Sequence, residues 1–192
     1  MKIAITGHKR GIGKAFADNL TAKGHDIVGI SRSDGENIRR VSHTASLIEP
    51  CDLFINNAIS FYAQTELLFE VWHRWHDIKE VHHIWNISTR ICERKHDEQI
   101  HGLSMRQSME NRNQKMALEL AHEQLDRQAS NIKMALIRPG SVRTQSWSRP
   151  DAVDPDAYVE QVLKERNGDI RHVDQFDHLV PIVPELVQTP LL

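Results

Sequence analysis

The chain has 192 residues, enough for one domain of ordinary size and cramped for two independent cores. Hydrophobic residues make up 40% and charged residues 26%, which excludes the disordered, collagen-like and disulfide-rich classes. Against 24 Lys and Arg stand 26 Asp and Glu, a formal net charge of -2, so no global field recruits nucleic acid or an anionic membrane.

Lys2 to Thr6 is short, apolar and isoleucine-rich, and it runs into a glycine cluster as a buried strand does. From Gly11 onward Ile12, Ala15, Phe16 and Leu20 recur at helical spacing, and Gly24 predicts the stop. Ile27 to Ile30 reads as a second strand, so the opening is a strand, helix and strand unit whose crossover makes the sheet parallel. Helices are predicted around Val41 to Ile48 and Gln64 to Trp75, with strands at Cys51 to Asn57 and His82 to Ile87. Met105 to Gln128 is the longest helical pattern, and Ile132 to Ile137 is a strand halted by Pro139-Gly140. Asp154 to Glu165 reads as a helix with Asp154 as cap and Pro155 in its first turn. Leu179 to Val183 reads as a last edge strand, since Pro181 and Pro184 forbid full ladder bonding. The alternation predicts one α/β domain over residues 1 to 192, a three-layer Rossmann-type parallel sheet with helices on both faces.

Cys51 and Cys92 have no CxxC partner, which predicts a reducing, cytoplasmic compartment and no structural zinc. The apolar start is too short for a secretory signal, and no run approaches the roughly 18 apolar residues that span a bilayer.

Between the first strand and its helix stands Thr6-Gly7-His8-Lys9-Arg10-Gly11-Ile12-Gly13. Glycines here permit a tight turn and close backbone approach, and the N–H groups at the helix start favour a pyrophosphate. The spacing is TGxxxGIG, and with Asn56-Asn57-Ala58, Asn86-Ile87-Ser88 and Arg138-Pro139-Gly140-Ser141-Val142-Arg143-Thr144 in order the chain resembles the short-chain dehydrogenase/reductase family. Ile59 stands where that family's NNAG motif has glycine. The stretch from Ser31 to Asn56 is too short for a full second helix plus the family's third strand and its helix, so one helix is expected to be missing. The residues holding adenine are then expected in the vicinity of Ile38, Arg39 and Arg40.

The resemblance implies a nicotinamide dinucleotide. NAD sites of this shape place an acidic residue at the end of the second strand, whereas a 2′-phosphate needs cations there. This chain has Ser31 and Arg32, with Arg10 before the second glycine, so NADP(H) is expected over NAD(H); the plain alternative is that both are solvated surface arginines. The implied cofactor residues are Gly7, Gly11, Ile12 and Gly13 at the pyrophosphate, Arg10 and Arg32 at the 2′-phosphate, and Asn57 and Ala58 on the adenosine side. Lys115 is implied at the nicotinamide ribose, and Pro139, Gly140, Val142 and Thr144 around the carboxamide.

Family members reduce a small carbonyl or oxidise an alcohol with a serine and a YxxxK pair, the tyrosine moving the proton. The resemblance assigns Ser88 and Lys115 to this set, but Asn111 stands four residues before Lys115 in place of tyrosine. An amide does not titrate near neutrality, so the position loses its acid. Tyr62, Tyr158 and His101 are conceivable substitutes, each more simply read as packing or solvated residues. His73, His76 and Asp77 invite a metal, but Trp72 and Trp75 read better as packing residues, and no metal is expected. Two further readings stand beside the oxidoreductase: a dinucleotide sensor that has lost its chemistry, and a partner subunit that uses the sheet alone. Met105, Met109, Met116, Leu120 and Leu125 give the long helix an apolar content suited either to a homodimer or to the core.

Overall fold

The computed structural model describes residues 1–93, 102–128, 130–143 and 152–165. Five strands, β1 (Lys2–Thr6), β2 (Asp26–Ile30), β3 (Leu53–Asn56), β4 (His82–Ile87) and β5 (Ile132–Ile137), form one sheet in the order β2-β1-β3-β4-β5. All pairings are parallel, with Ile5 opposite both Gly29 and Ile55, Asn56 opposite Asn86, and Ile87 opposite Ile137. Every residue of β3 is buried, the continuous apolar run that a parallel strand covered on both faces requires.

The helices are α1 (Gly11–Ala22), α2 (Val41–Ile48), α3 (Ala63–His76), α4 (Met105–Asp126) and α5 (Pro155–Glu165). On one face α1 and α5 enclose Ile3, Ile5, Phe16, Trp85 and Val159; on the other α2, α3 and α4 enclose Phe54, Leu68, Trp75, Ile84 and Leu118. The expected three-layer architecture is thus present. Ser104 accepts from the Gln107 amide while Gln107 returns a bond to Ser104, a capping box that starts α4. Asp154 Oδ1 accepts from the Asp156 amide at 2.9 Å at the start of α5.

Between β2 and β3 the chain makes a 3-10 turn at Arg32–Asp34 and the single helix α2. The shortening therefore removes a strand as well as a helix, and β2 becomes the edge of the sheet. The expected strand at Leu179 to Val183 lies outside the described residues. No described helix is long and apolar enough to cross a membrane.

Tyr158 is a packing residue, the simpler of its two readings, and is set aside as a substitute acid. It stands on α5, 2% exposed within the core under α1, because Val159, Val162 and Leu163 turn the helix onto the sheet and take the tyrosine with them. Leu125 is likewise a core residue of α4, whereas Met105, Met109, Met116 and Leu120 are exposed.

Candidate functional site

The chain crosses from β2 over β1 to β3, so the strand order reverses between β1 and β3. A crevice opens at the carboxyl ends of strands at such a switch point. Its two lips are tied by Thr6, whose hydroxyl accepts from the Asn57 and Ala58 amides at 2.9 and 3.0 Å, while Asn57 Nδ2 donates to the Thr6 carbonyl at 3.0 Å. The Asn57 side chain therefore fixes the glycine turn rather than pointing into the crevice. Gly13 serves the same junction: a Cβ there would stand 2.4 Å from the Gly7 carbonyl oxygen and 2.5 Å from Asn57 Nδ2. Gly7 and Gly11 lie at φ 74° and 51°, where glycine alone is free of strain.

A cavity of about 230 Å³ occupies this end of the crevice, lined by Gly7, Lys9, Arg10, Ile30, Ser31, Arg32, Ser33, Glu36, Asn37, Ile38, Ala58, Ile59 and Ser60. Four residues expected at a cofactor, Gly7, Arg10, Arg32 and Ala58, are brought together here. The residues Lys9, Ser31 and Ser33 were not singled out as cofactor ligands; a run of Lys9-Arg10 facing Ser31-Arg32 becomes visible once β1 and β2 are paired. The nearby acids are engaged: Asp34 pairs with Lys9 at 3.3 Å and His8 at 3.4 Å, and Glu36 with His43 at 2.8 Å. Arg10 and Arg32 have no ion-pair partner among the described residues. The start of α1 carries no side-chain cap and no acidic residue in its first turn, which leaves its amides and dipole free to meet a phosphate. This cradle fits the phosphates of a dinucleotide.

Beyond β4 the expected catalytic set has a different geometry. Lys115 is buried at 8% exposure, and its ammonium donates to Gln64 Oε1 at 2.8 Å and to the Ile87 carbonyl at 2.7 Å. Gln64 is held in turn, its Nε2 donating to the carbonyls of Asn56 and Ile87 at 2.6 and 3.1 Å. Burial pulls the Lys115 ammonium down to about 8, outweighing the opposing effect of Cys92 and Glu119. The Ser88 hydroxyl donates to Glu119, and Glu119 receives a two-pronged ion pair from Arg138 at 3.0 and 2.9 Å. Asn86, two residues before Ser88 on the same face of β4, joins Asn56 at 3.0 Å and His122 at 3.1 Å. Burial raises the Cys92 thiol to about 11, with Glu119 adding to the effect.

Ser88 and Lys115 thus reach the same end of the sheet, and each is engaged by internal partners that the sequence motifs did not name, Glu119 and Gln64, with one Lys115 N–H and the Ser88 lone pairs left over. Asn111 lies one helical turn before Lys115, partly exposed and with no side-chain hydrogen bond among the described residues. Ser88, Asn111, Lys115, Pro139, Gly140 and Val142 are not on the wall of the phosphate-side cavity. Val142 gives its side chain to the core under α5, 4% exposed; Thr144 and His101 lie outside the described residues. Tyr62 stands at the head of α3, half exposed, near the crevice mouth. His76 packs on Trp72 and His82 stacks on Trp75, each at 4.4 Å between ring centres. The described residues hold no group of three metal-ligating side chains.

No protein-family model and no curated protein sequence matches the chain. Solved structures do. A 3-alpha-hydroxysteroid dehydrogenase from a Pseudomonas species, complexed with NADH, superposes with a TM-score of 0.67 over 92% of this chain and 94% of its own, at 14% identity. An alcohol dehydrogenase from Thermococcus sibiricus, complexed with 5-hydroxy-NADP, gives 0.67 over 91% and 94%, at 17% identity. A short chain dehydrogenase from Burkholderia cenocepacia, complexed with NADP, gives 0.64 over 92% and 88%, at 15% identity. The chain therefore has the fold of the short-chain dehydrogenases.

Proposed function

We propose that this protein binds NADP(H) in the switch-point crevice and acts as an oxidoreductase of the short-chain dehydrogenase type on a small carbonyl or alcohol. The observation that carries the reading is the cation pair Arg10 and Arg32, unpaired on the wall of a cavity at the uncapped start of α1. Solved neighbours complexed with NADH and with NADP support the dinucleotide. Gly7 and the first amides of α1 hold the pyrophosphate; Arg10 and Arg32, with Lys9 beside them, hold the 2′-phosphate. A bound nicotinamide supplies or accepts the hydride. The chain's own part is to orient the reacting oxygen from Ser88 and to hold the nicotinamide ribose with Lys115, each while keeping an internal partner.

Asn111 favours a second reading. Its amide cannot move a proton, and Ser88 and Lys115 already hold internal partners, as in a sensor that retains the dinucleotide site without the chemistry. Parallel titration with NADPH and NADH, followed by nucleotide fluorescence, tests the common ground. NADPH is expected to bind at least about tenfold more tightly, the contribution of one charge-assisted hydrogen bond. Failure of both nucleotides at hundreds of micromolar removes both readings and leaves the scaffold subunit.

The assembly we propose is a homodimer through α4. Met105, Met109, Met116 and Leu120 are exposed, and at 100° per residue they fall within an arc of about 60°. Leu120→Glu is expected to convert the dimer to a monomer in analytical ultracentrifugation; an unchanged sedimentation coefficient rejects this face.

A further inference from the structure

Ser88 follows β4 with its backbone fixed, the amide donating to the Ile137 carbonyl at 2.8 Å, and its hydroxyl donates to Glu119 Oε1. A hydroxyl carries one proton, so toward a substrate Ser88 offers lone pairs alone. A ketone oxygen needs a donor, whereas an alcohol O–H needs an acceptor, and Ser88 as it stands suits the alcohol. Glu119 lies one helical turn past Lys115 on α4, its side chain 15% exposed. The two-pronged bond from Arg138 favours the charged carboxylate, the form that accepts a proton. Glu119 also lines a second cavity, of about 600 Å³, together with Cys92, His122, Glu123 and Arg138. This cavity shares no lining residue with the phosphate-side cavity, so a proton on Glu119 has a way out that does not cross the cofactor crevice.

Resting on the oxidoreductase reading above, we propose that Glu119, working through Ser88, replaces the missing tyrosine as the terminal proton acceptor, and that the substrate is a small alcohol which is oxidised. The substrate O–H proton passes to Ser88 Oγ as the Ser88 proton passes to Glu119 Oε1. The carbinol C–H bond breaks with its electron pair going to NADP⁺, and the carbonyl double bond forms. The alcohol is oxidised, NADP⁺ is reduced, and Glu119 is left protonated, to release its proton by way of the second cavity. Carbonyl reduction by the same groups would start from a protonated Glu119, the form that the Arg138 charge opposes. The charged and titratable groups that face Glu119 are Arg138 at the end of β5, Cys92 in the 3-10 turn Arg90–Glu93, and Lys115, His122 and Glu123 on α4.

The test joins a spectroscopic readout to a pH profile. In protein whose glutamates are isotopically labelled at the carboxyl carbon, the Glu119 resonance is identified by its absence from Glu119→Gln and followed against pH with and without NADP⁺. Glu119→Asp, which keeps a charge beside Arg138, gives the same assignment where Glu119→Gln unfolds. Without nucleotide, Ser88→Ala is expected to shift this resonance, as loss of its hydrogen bond requires. NADP⁺-dependent oxidation of isopropanol, cyclohexanol and phenylethanol is then measured over the same pH range. The acid limb of kcat/KM is expected to follow the Glu119 titration of the NADP⁺-bound protein. In Glu119→Gln that limb is expected to vanish with about a hundredfold of the rate, while Kd for NADP⁺ is unchanged, since Glu119 is not on the wall of the phosphate-side cavity. A purely structural Glu119 would leave the limb in place. The relay is overturned by an acid limb that departs from the Glu119 resonance, by wild-type turnover in Glu119→Gln, or by a wild-type protein that binds NADP⁺ and oxidises none of the three alcohols. Each of these leaves the dinucleotide reading standing, and a wild-type protein that binds no NADP⁺ removes both.

Discussion

The Lys115 ammonium donates to Gln64 Oε1 at 2.8 Å, joining the middle of α4 to the first turn of α3 across 51 residues of sequence. Because Gln64 Nε2 is committed to two backbone carbonyls, its oxygen is the atom left to receive the lysine. Both of its hydrogen-bond acceptors, Gln64 and the Ile87 carbonyl, are neutral, and burial makes the charge costly to keep despite the opposing effect of Cys92 and Glu119.

This cost makes stability depend on pH in a stated direction. The folded-state value of Lys115, about 8, lies below its ordinary 10.5. Between the two the unfolded chain binds more protons, so this group's contribution rises with pH across that window, by up to about 3 kcal/mol. Denaturation of wild type and Lys115→Met at pH 7 and pH 10 isolates it: the stability of the wild type relative to the variant is expected to increase. Parallel curves would show that the ammonium is not buried.

Asn111→Tyr restores a titratable group one turn from Lys115. With the dinucleotide in place, carbonyl reduction is expected to rise by about a hundredfold, the lower range for general acid catalysis, at unchanged NADPH affinity. Asn111→Phe supplies the same ring without the hydroxyl and should give no gain. Equal activity in the two variants would mean that the Ser88 and Lys115 partners, Glu119 and Gln64, keep the site closed to substrate.

Arg10→Gln and Arg32→Gln separate the two cofactors. Each is expected to weaken NADPH by about tenfold and to change NADH little, since the 2′-phosphate is the group they distinguish. Loss of both nucleotides in equal measure would place these arginines at the pyrophosphate.

Gly13→Ala tests the junction beneath the crevice. Its Cβ would stand 2.4 Å from a backbone oxygen of Gly7, and backbone cannot swing aside as a flexible side chain does. Destabilisation of about 1–3 kcal/mol is expected, with NADPH binding weakened as well because the same turn presents the pyrophosphate amides. An unaffected melting temperature would show that loop and helix are free to part.

Much of the fold was legible in the sequence because its signals are local. Apolar runs of strand length, helical spacing from Gly11 and the stop after Ile137 each concern residues within a few positions of one another, and among the described residues the strands and helices stand near where they were expected. The glycine turn and the substitution at Asn111 were legible for the same reason. The tertiary structure decided what a parallel sheet brings together from afar. It turned Tyr158 into the core with α5, gave Asn57 to Thr6 instead of to the crevice, and set Gln64 under Lys115 and Glu119 on Ser88. Crossovers place strands side by side that lie tens of residues apart, as Asn56 beside Asn86 shows. A buried polar side chain must then find its partner across that distance, and neither spacing nor composition records which one it finds.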